Sequence, residues 1–227
     1  DRLIIDRGET GANLFSTGNG FNVRLNAHHI RLQNSTLRNT NEHIIQAAST
    51  THHIELLRND VHTAYINLYN GTHPTAGNYG MYVNFSNSLI EGNTIHNTTG
   101  YGIHLYLSGG TTVSNNIIRN NTVYGCGYND GERGDLQAGM IIASGSGNAV
   151  YNNVVHSNTG LGIQVAYTSG ANSIIGNTSY GNTAAGYAVY VSAPSTLVAN
   201  NISYSNAGGG MEDGGASPAP TFQTNLC

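Results

Sequence analysis

Histidine and tyrosine side chains that can transfer protons flank one short stretch of the sequence. His96 and His104 are eight residues apart, with Tyr101 between them. An imidazole titrates near neutrality and suits a general base, whereas a phenol can donate a proton. The spacing of apolar residues places Tyr82 beside His104 in the fold. These four residues are therefore candidates for acid–base catalysis.

A charged segment forms the second group of candidates. Asp130, Glu132, Arg133 and Asp135 fall within six residues, in a chain of which only 9% is charged. Ca²⁺ takes roughly six to eight oxygen ligands, so the three carboxylates are candidate Ca²⁺ ligands. Arg133 could neutralise a substrate carboxylate, which makes it a catalytic candidate. A solvated loop without either role would carry the same charges, and the sequence leaves these alternatives open.

The composition excludes several classes of protein. The 227 residues are 38% hydrophobic with a net charge of -4, whereas disordered chains combine low hydrophobicity with high net charge. All eight basic residues are arginine, and they are scattered along the sequence rather than clustered. Nucleic-acid binding needs clusters of basic residues, so this distribution argues against it. No apolar run approaches the roughly 18 residues of a membrane span. Cys126 and Cys227 are the only cysteines, and a disulfide or two free thiols would both fit the sequence.

A repeated phrase predicts the fold. An apolar pair, a small or polar residue, Asn, β-branched residues and then His or Tyr recur along the chain. The Asn of four copies are 32, 24 and 24 residues apart, at Asn121, Asn153, Asn177 and Asn201. Apolar residues alternate within each phrase, as in half-buried strands. A period of about 24 residues built from strands and tight turns predicts one domain of stacked coils, with the asparagines in a hydrogen-bonded ladder between coils.

Each phrase is followed by a strand that begins at a glycine, and the connection between the two varies in length. Its step is 8 residues from Ile95 to Ile103, but 20 from Val61 to Met81 and 17 from Val123 to Met140. Two insertions would therefore leave the same turn and stand as walls on either side of a floor formed by residues 93–105. The similarity of residues 64–69 to the strand that begins at Gly102 leaves the start of the first insertion open.

The boundaries and ends of the solenoid are predicted from composition. We expect the stacked coils to cover residues 1–212 and an irregular Gly- and Pro-containing tail to cover 213–227. The sequence begins within a coil without an amphipathic capping helix, so exposed strand edges predict end-to-end self-association or missing flanking coils.

The NNxIxxN-type phrase, its period and the Gly-Ile-x-Val strand resemble the parallel β-helix repeats of pectin-lyase-like proteins across nearly the whole chain. The resemblance implies an all-β, right-handed parallel β-helix of three sheets and about seven to eight coils. It also implies a secreted or cell-surface protein without a membrane span. That superfamily includes polysaccharide lyases, uronan epimerases, glycoside hydrolases, phage tailspikes and adhesins, so the fold alone does not fix the activity.

The residues and the resemblance together favour an enzyme that acts on a uronate-containing polysaccharide by β-elimination or C5 epimerisation. His104 would be the base and Tyr82 or Tyr101 the acid, with His96 and Arg133 in support. Related lyases commonly use Lys or Arg as the base, and this chain has no Lys. The predicted substrate contacts are Tyr124, Tyr128, Arg119 and Gln164. No cofactor other than Ca²⁺ is expected.

Two other functions remain open at this point. Hydrolysis would need a carboxylate pair roughly 5–9 Å apart, and Asp130, Glu132 and Asp135 could provide it. A structural, adhesive or filament-forming β-helix would need no catalytic group. His96 and Tyr124 also belong to a column of equivalent positions that predicts a surface ladder of side chains. That column contains Arg38, His62, His96, Tyr124, His156, Tyr180 and Tyr204.

Overall fold

The computed structural model describes residues 4–6, 23–40, 43–48, 50–64, 68–69, 73–74, 78–106, 113–127, 138–190, 195–215 and 218–227. Their regular elements are all strands, arranged as three eight-stranded parallel sheets and one short antiparallel pair. Successive strands of a sheet come from successive turns of the chain. The molecule is thus a parallel β-solenoid of about seven turns, and the predicted fold class is confirmed.

The strands of each sheet follow in spatial order. The first sheet contains β1 (Ile4–Asp6), β4 (Thr36–Thr40), β7 (Asp60–Ala64), β12 (Thr94–Thr98), β15 (Thr122–Tyr124), β18 (Val154–His156), β21 (Thr178–Tyr180) and β24 (Ile202–Tyr204). The second contains β2 (Val23–Leu25), β5 (Ile45–Ala47), β10 (Met81–Val83), β13 (Ile103–Leu105), β16 (Ala138–Gly145), β19 (Leu161–Ser169), β22 (Tyr187–Tyr190) and β25 (Met211–Gly214). The third contains β3 (Arg31–Gln33), β6 (Glu55–Leu57), β11 (Leu89–Glu91), β14 (Ile117–Arg119), β17 (Ala149–Tyr151), β20 (Ser173–Ile175), β23 (Leu197–Ala199) and β26 (Thr221–Gln223). The antiparallel pair is β8 (Leu68–Tyr69) with β9 (His73–Pro74).

The core is a stack of apolar side chains inside the solenoid. One coil contributes Ile90 from the third sheet, Ile95 from the first and Ile103 from the second, and all three are buried. Alternation along a strand turns every second side chain inward, and the parallel register repeats the pattern in the next coil. Full burial of such a side chain stabilises the fold by about 1.5–3 kcal/mol. The apolar alternation seen in the sequence therefore builds one continuous core.

The predicted asparagine ladder is present and fills the turn between the third and first sheets. The Nδ2 of Asn121 donates to Oδ1 of Asn153 at 2.9 Å, Asn153 donates to Asn177 at 2.9 Å, and Asn177 donates to Asn201 at 3.1 Å. Each Oδ1 also accepts a backbone N–H from the preceding rung. Shorter ladders fill the other two turns, at Asn158–Asn182–Asn206 and at Asn116–Asn148–Asn172.

The ladder asparagines themselves do not adopt a left-handed backbone. The residue before the rung does so instead, as at Asn120 with φ 56°, Asn152 with φ 56° and Gly176 with φ 67°. The sequence therefore uses two adjacent positions for two purposes. One residue bends the chain, and the next satisfies buried backbone groups.

Glycine begins the strands of the second sheet because the neighbouring coil leaves no room for a side chain. A Cβ on Gly102 would lie 2.4 Å from a methyl carbon of Val123 and 2.8 Å from the carbonyl oxygen of Gly139. Gly139 and Gly162 face equally close atoms. The recurring glycine thus reflects close packing of the first sheet against the start of the second.

The strand register settles where the first insertion lies. Met81–Val83 pairs with Ile45–Ala47 on one side and with Ile103–Leu105 on the other, so Tyr82 lies directly beside His104. Both insertions therefore leave the connection from the first to the second sheet. The second insertion, residues 128–137, lies outside the described residues, and so does most of the first.

The C-terminal segment continues the solenoid where an irregular tail was predicted. Thr221–Gln223 pairs in parallel with Leu197–Ala199, and Asn225 accepts from Asn201 as a further ladder rung. The sequence signal missed it because Gly and Pro residues precede this last strand. Cys126 is buried, Cys227 is exposed, and the two thiols are free.

Candidate functional site

The first sheet carries a stacked column of six aromatic rings on its outer face: His62, His96, Tyr124, His156, Tyr180 and Tyr204. Neighbouring ring centroids are 4.7 to 5.1 Å apart, and neighbouring planes lie within 8° of parallel. This spacing is close to the roughly 4.8 Å between strands, because in-register pairing places each ring over the next. The surface ladder predicted for these positions is present.

One end of the stacked column contains a carboxylate. Nε2 of His96 is 3.3 Å from Asp60 Oδ1. The ring of His62 stacks on the face of His96 that is turned away from Tyr124. Nδ1 of His62 is 2.8 Å from the hydroxyl of Thr63. One atom each from Asp60, His62 and His96 come within 4.8 Å of one another, a spacing compatible with a metal ion. The other four rings have no such arrangement among the described residues.

The second sheet carries a different group, the His104 cluster, which consists of His43, Tyr79, Tyr82, Tyr101, His104 and Tyr106. Tyr82 and His104 lie on adjacent strands, and His43, Tyr79 and Tyr101 come from the turn that precedes successive strands. His104 meets the rings of Tyr79, Tyr82 and Tyr101 edge to face, with centroids 4.8 to 5.1 Å away. His43 stacks on Tyr79 and Tyr82. The rings enclose His104 from several directions.

His104 is buried without hydrogen bonds from the described residues. It is 7% exposed, and neither Nδ1 nor Nε2 has a partner there. A buried polar group usually has one, so two unpaired nitrogens on one ring are unusual. Burial, and to a smaller extent His43, lowers the pKa of His104 to about 3. The imidazole is therefore neutral at pH 7.

Burial also shifts the neighbouring groups. It lowers the pKa of His43 to about 4, while the ring Nδ1 accepts the backbone N–H of Tyr79 at 3.2 Å. Burial, reinforced by Tyr106, raises the pKa of Tyr82 to about 12. Tyr101 is 1% exposed and Tyr106 is 38% exposed, so the cluster extends from the interior to solvent. At neutral pH it offers uncharged imidazoles that can accept a proton and an uncharged Tyr82 phenol that can donate one.

The structure brings some candidate residues together and separates others. Tyr82, Tyr101 and His104 share the cluster, and Gln164 lies two strands further along the same sheet. His96 and Tyr124 belong to the stacked column on the first sheet. Arg119 lies on the third sheet, 2.9 Å from Glu91 and 3.0 Å from the hydroxyl of Tyr151. Five candidates lie outside the described residues: Tyr128, Asp130, Glu132, Arg133 and Asp135.

His43, Tyr79 and Tyr106 are cluster members that the sequence analysis missed. The first two precede the strands, at positions equivalent to Tyr101, each three residues before the outward-facing residue of its strand. A usable signal existed, since Tyr79-Gly80-Met81-Tyr82 repeats the pattern of Tyr101-Gly102-Ile103-His104. Comparing the turn residues coil by coil would have found it.

The third sheet forms one side of a groove of about 700 Å³. It is lined in part by the ion pair of Arg31 with Glu55, by Arg119 and by Ile117. This concave surface was not anticipated either, because its residues come from four successive coils and are distant from one another in the chain.

Comparison with known proteins agrees with this architecture. The family described as a right-handed β-helix region matches residues 65–226. The chain belongs to this right-handed β-helix family. No curated protein sequence matches it. The right-handed sense implied by the resemblance to pectin-lyase-like proteins is thereby supported.

Solved structures share the β-helix at low sequence identity. The Azotobacter vinelandii mannuronan C-5 epimerase AlgE4 A-module is 12% identical, with a TM-score of 0.63 over 88% of this chain and 60% of its own. The periplasmic alginate epimerase AlgG is 15% identical, with a TM-score of 0.67 over 99% of this chain and 55% of its own. The Dettilon tailspike protein is 16% identical, with a TM-score of 0.59 over 86% and 43%. This β-helix thus spans between about two fifths and three fifths of these proteins, and identities this low establish the fold alone.

Membrane insertion through a helix finds no support in the part of the chain that the structure describes. No helix there is long and apolar enough to cross a bilayer.

Proposed function

We propose that this β-helix acts on an acidic, uronate-containing polysaccharide by removing the proton at C5, with the His104 cluster as its active site. The observation that carries the proposal is the His104 imidazole, which is buried, neutral and without hydrogen bonds from the described residues. A ring held in this way by tyrosines has a free lone pair for a substrate proton. Two structural neighbours are named as epimerases of mannuronan and alginate, which agrees with this substrate class.

The reaction begins with transfer of the C5 proton to a ring nitrogen of His104. The C5–H bond breaks, and its electron pair delocalises into the adjacent carboxylate of the sugar. In epimerisation, the Tyr82 or Tyr101 phenol returns a proton to the opposite face of C5. In elimination, the electron pair forms a C4–C5 double bond, the C4–O4 bond breaks, and a phenol protonates the departing oxygen. Both routes use the same base and differ in where the acid acts.

The low pKa of His104 makes the base dependent on its substrate. With a pKa of about 3, the imidazole binds protons weakly in the free protein. A uronate carboxylate bound nearby would favour the imidazolium, because an opposite charge stabilises the protonated form. An anionic sugar therefore raises the basicity of the residue that attacks it, whereas a neutral sugar does not.

Stabilisation of the additional negative charge that develops on the substrate carboxylate as C5 loses its proton is assigned to the second insertion. We propose Arg133, or Ca²⁺ held by Asp130, Glu132 and Asp135, for this task. Arg119 lies on the third sheet, away from the His104 cluster, and is already paired with Glu91. It is therefore better suited to contact an outer part of the substrate. Gln164, Tyr124 and Tyr128 remain proposed substrate contacts, and His96 a proposed supporting group. An extracytoplasmic location follows as part of the proposal, since extended acidic polysaccharides occur there.

The test is an assay on a panel of polymannuronate, polyguluronate and polygalacturonate, with Ca²⁺ or with a chelator. Ultraviolet absorbance reports the unsaturated product of elimination, and proton NMR reports inversion at C5. We expect His104→Gln to lower kcat by about 10²- to 10⁴-fold, the usual contribution of general base catalysis. Tyr82→Phe removes only the hydroxyl and keeps the aromatic ring. It therefore tests the role of Tyr82 as the acid separately from its role in packing.

The matched control is His156→Gln in the stacked column, which should retain the wild-type rate. Undiminished turnover by His104→Gln would contradict the assignment of the base. Absence of both products on every polymer would favour the alternative, a non-enzymatic structural or adhesive β-helix, which the regular column of stacked rings would also serve.

A further inference from the structure

A histidine pair occurs twice in the first half of the chain, at the same position of two successive coils. His28-His29-Ile30 and His52-His53-Ile54 are 24 residues apart, which is one coil. The register of β3 with β6 places the two pairs directly above one another. Together they form an imidazole array of four rings at the turn from the second to the third sheet.

The rings of the imidazole array point their nitrogens at one another. His28 stacks on His52 with centroids 4.8 Å apart, and His29 stacks on His53 with centroids 4.7 Å apart. Within each pair the planes are nearly perpendicular, and the two Nδ1 atoms are 2.7 Å apart. One ring nitrogen each of His28, His29 and His52 lie within 4.8 Å of one another. A separation of 2.7 Å fits a hydrogen bond in which one nitrogen of each pair donates and the other accepts.

The same turn is built differently in later coils. Ser86-Asn87, Ser114-Asn115 and Ser146-Gly147 occupy the equivalent positions, and the buried residues Ser88, Asn116 and Asn148 follow them. In the two coils with the imidazole array, the rung position holds Ile30 and Ile54, which cannot form an amide ladder. The histidine pairs thus occur where the asparagine rungs of this turn are missing, although backbone hydrogen bonds still join the coils there.

We propose that His28, His29 and His52 bind one divalent transition metal ion of the zinc, nickel and copper group, with His53 orienting His52. Neutral imidazole is a preferred ligand of these ions, whereas Ca²⁺ and Mg²⁺ need oxygen ligands. The metal takes the place of the proton in the hydrogen bond between His28 and His29. A tetrahedral ion with Zn–N bonds of about 2.0–2.1 Å sets its nitrogen ligands about 3.3 Å apart. The pair at 2.7 Å must open slightly, which two exposed side chains can do.

The site is distinct from the groups assigned to catalysis. It lies at the opposite edge of the second sheet from the turn that carries Tyr79 and Tyr101. The ligands come from two coils, so a bound ion would join these coils at the turn that lacks asparagine rungs. Contacts from His53 to His52 resemble the hydrogen bonds that fix the orientation of metal-binding histidines.

The experiment is a titration of the untagged, chelator-treated protein with Zn²⁺ by isothermal calorimetry, together with thermal unfolding at each metal concentration. We expect one Zn²⁺ per chain and a Tm that rises with Zn²⁺, because the ion binds only the folded array. His28→Ser and His52→Ser copy the residues of later coils and should weaken binding at least about 100-fold, since a ligand is lost. His53→Asn should weaken it about 10-fold, the size of a lost orienting contact.

The controls decide between this array and the second set of possible ligands. His62→Asn removes a member of the Asp60, His62 and His96 group and should leave Zn²⁺ affinity unchanged. Loss of binding in His62→Asn, with full binding in His28→Ser, would overturn the proposal. Failure of the intact protein to bind Zn²⁺, Ni²⁺ or Cu²⁺ would overturn it as well. The Ser and Asn variants keep residues that this turn already accepts, so a folding defect would not mask the result.

Discussion

The stacked column and the His104 cluster contain the same two residue types in opposite arrangements. In the column, histidine and tyrosine rings lie face to face, within 8° of parallel. In the cluster, tyrosine rings meet His104 edge on and leave both of its nitrogens without partners among the described residues. The column repeats a residue class coil after coil. The cluster draws on turn positions and strand positions that do not repeat beyond three coils.

The comparison teaches that repetition and chemistry use the scaffold differently. In-register strands place equivalent residues of successive coils side by side. An aromatic residue that recurs in every coil therefore stacks on its neighbours, which restricts the rotation of its side chain. The column on the second sheet continues from Tyr82 and His104 to Ile141, Gln164 and Ala188, so it cannot stack. An unrepeated histidine is thus left in a pocket of unlike neighbours, where burial can shift its pKa.

The largest contrast in stability is expected for Tyr101. Its ring is fully buried against His104, so Tyr101→Ala should lower the free energy of unfolding by about 3–5 kcal/mol, as for other large buried aromatics. Urea denaturation measures the change. Tyr101→Phe keeps the ring and serves as the control. A loss below about 1 kcal/mol for Tyr101→Ala would mean that the cluster is as loosely packed as the column.

Acid should destabilise the protein through the His104 cluster. The unfolded chain protonates histidine near pH 6.5, whereas folded His104 and His43 stay neutral until about pH 3 and about pH 4. Between these values the unfolded state binds more protons, so stability falls as the pH falls. We expect a loss of about 2 kcal/mol per residue by pH 5. Thermal unfolding from pH 7 to pH 4 measures it, and His104→Gln and His43→Gln should each flatten the curve.

The smallest effects are expected within the column. Tyr180 stacks on His156 and Tyr204, so Tyr180→Ala should cost about 1 kcal/mol, within the range of aromatic pairs. Tyr204 is half exposed and stacks on Tyr180 alone among the described residues, so Tyr204→Ala should cost about half as much. Urea denaturation of both variants gives the ratio. Equal costs would show that the rings do not stabilise one another pairwise.

The sequence predicted the periodic part of the molecule well. Spacing of the asparagines and alternation of apolar residues determine the strands, the ladder and the register that places Tyr82 beside His104. They do so because every coil buries equivalent positions in the same way. The glycine that starts each strand of the second sheet was visible in the sequence, whereas its cause, contact with residues such as Val123, is a property of the stack.

The parts that do not repeat were predicted poorly. Alternation indicated that His104 points away from the core, but not that Tyr79 and Tyr101 bury it from the turn. His43 is part of the cluster through stacking across coils, which no short motif reports. Arg119 was predicted to contact the substrate, yet it is paired with Glu91 of the preceding coil, 28 residues away in the chain. Glu91 and Arg119 occupy the same position of the repeat, so this pair emerges from the register only when charges are compared from coil to coil.

The rungs of the main asparagine ladder are unaffected by the length of chain between them. Asn121 and Asn153 are 32 residues apart, and Asn153 and Asn177 are 24 apart, yet both pairs form the same bond at 2.9 Å. Every rung before the last donates from Nδ2 to the Oδ1 of the asparagine in the following coil. Any two rungs could therefore form this bond if their coils were neighbours. A whole coil can therefore be duplicated or deleted during evolution, or lengthened at its loop, without leaving a ladder amide unpaired. New loops can arise in this way without a change in the backbone of the coils that carry them.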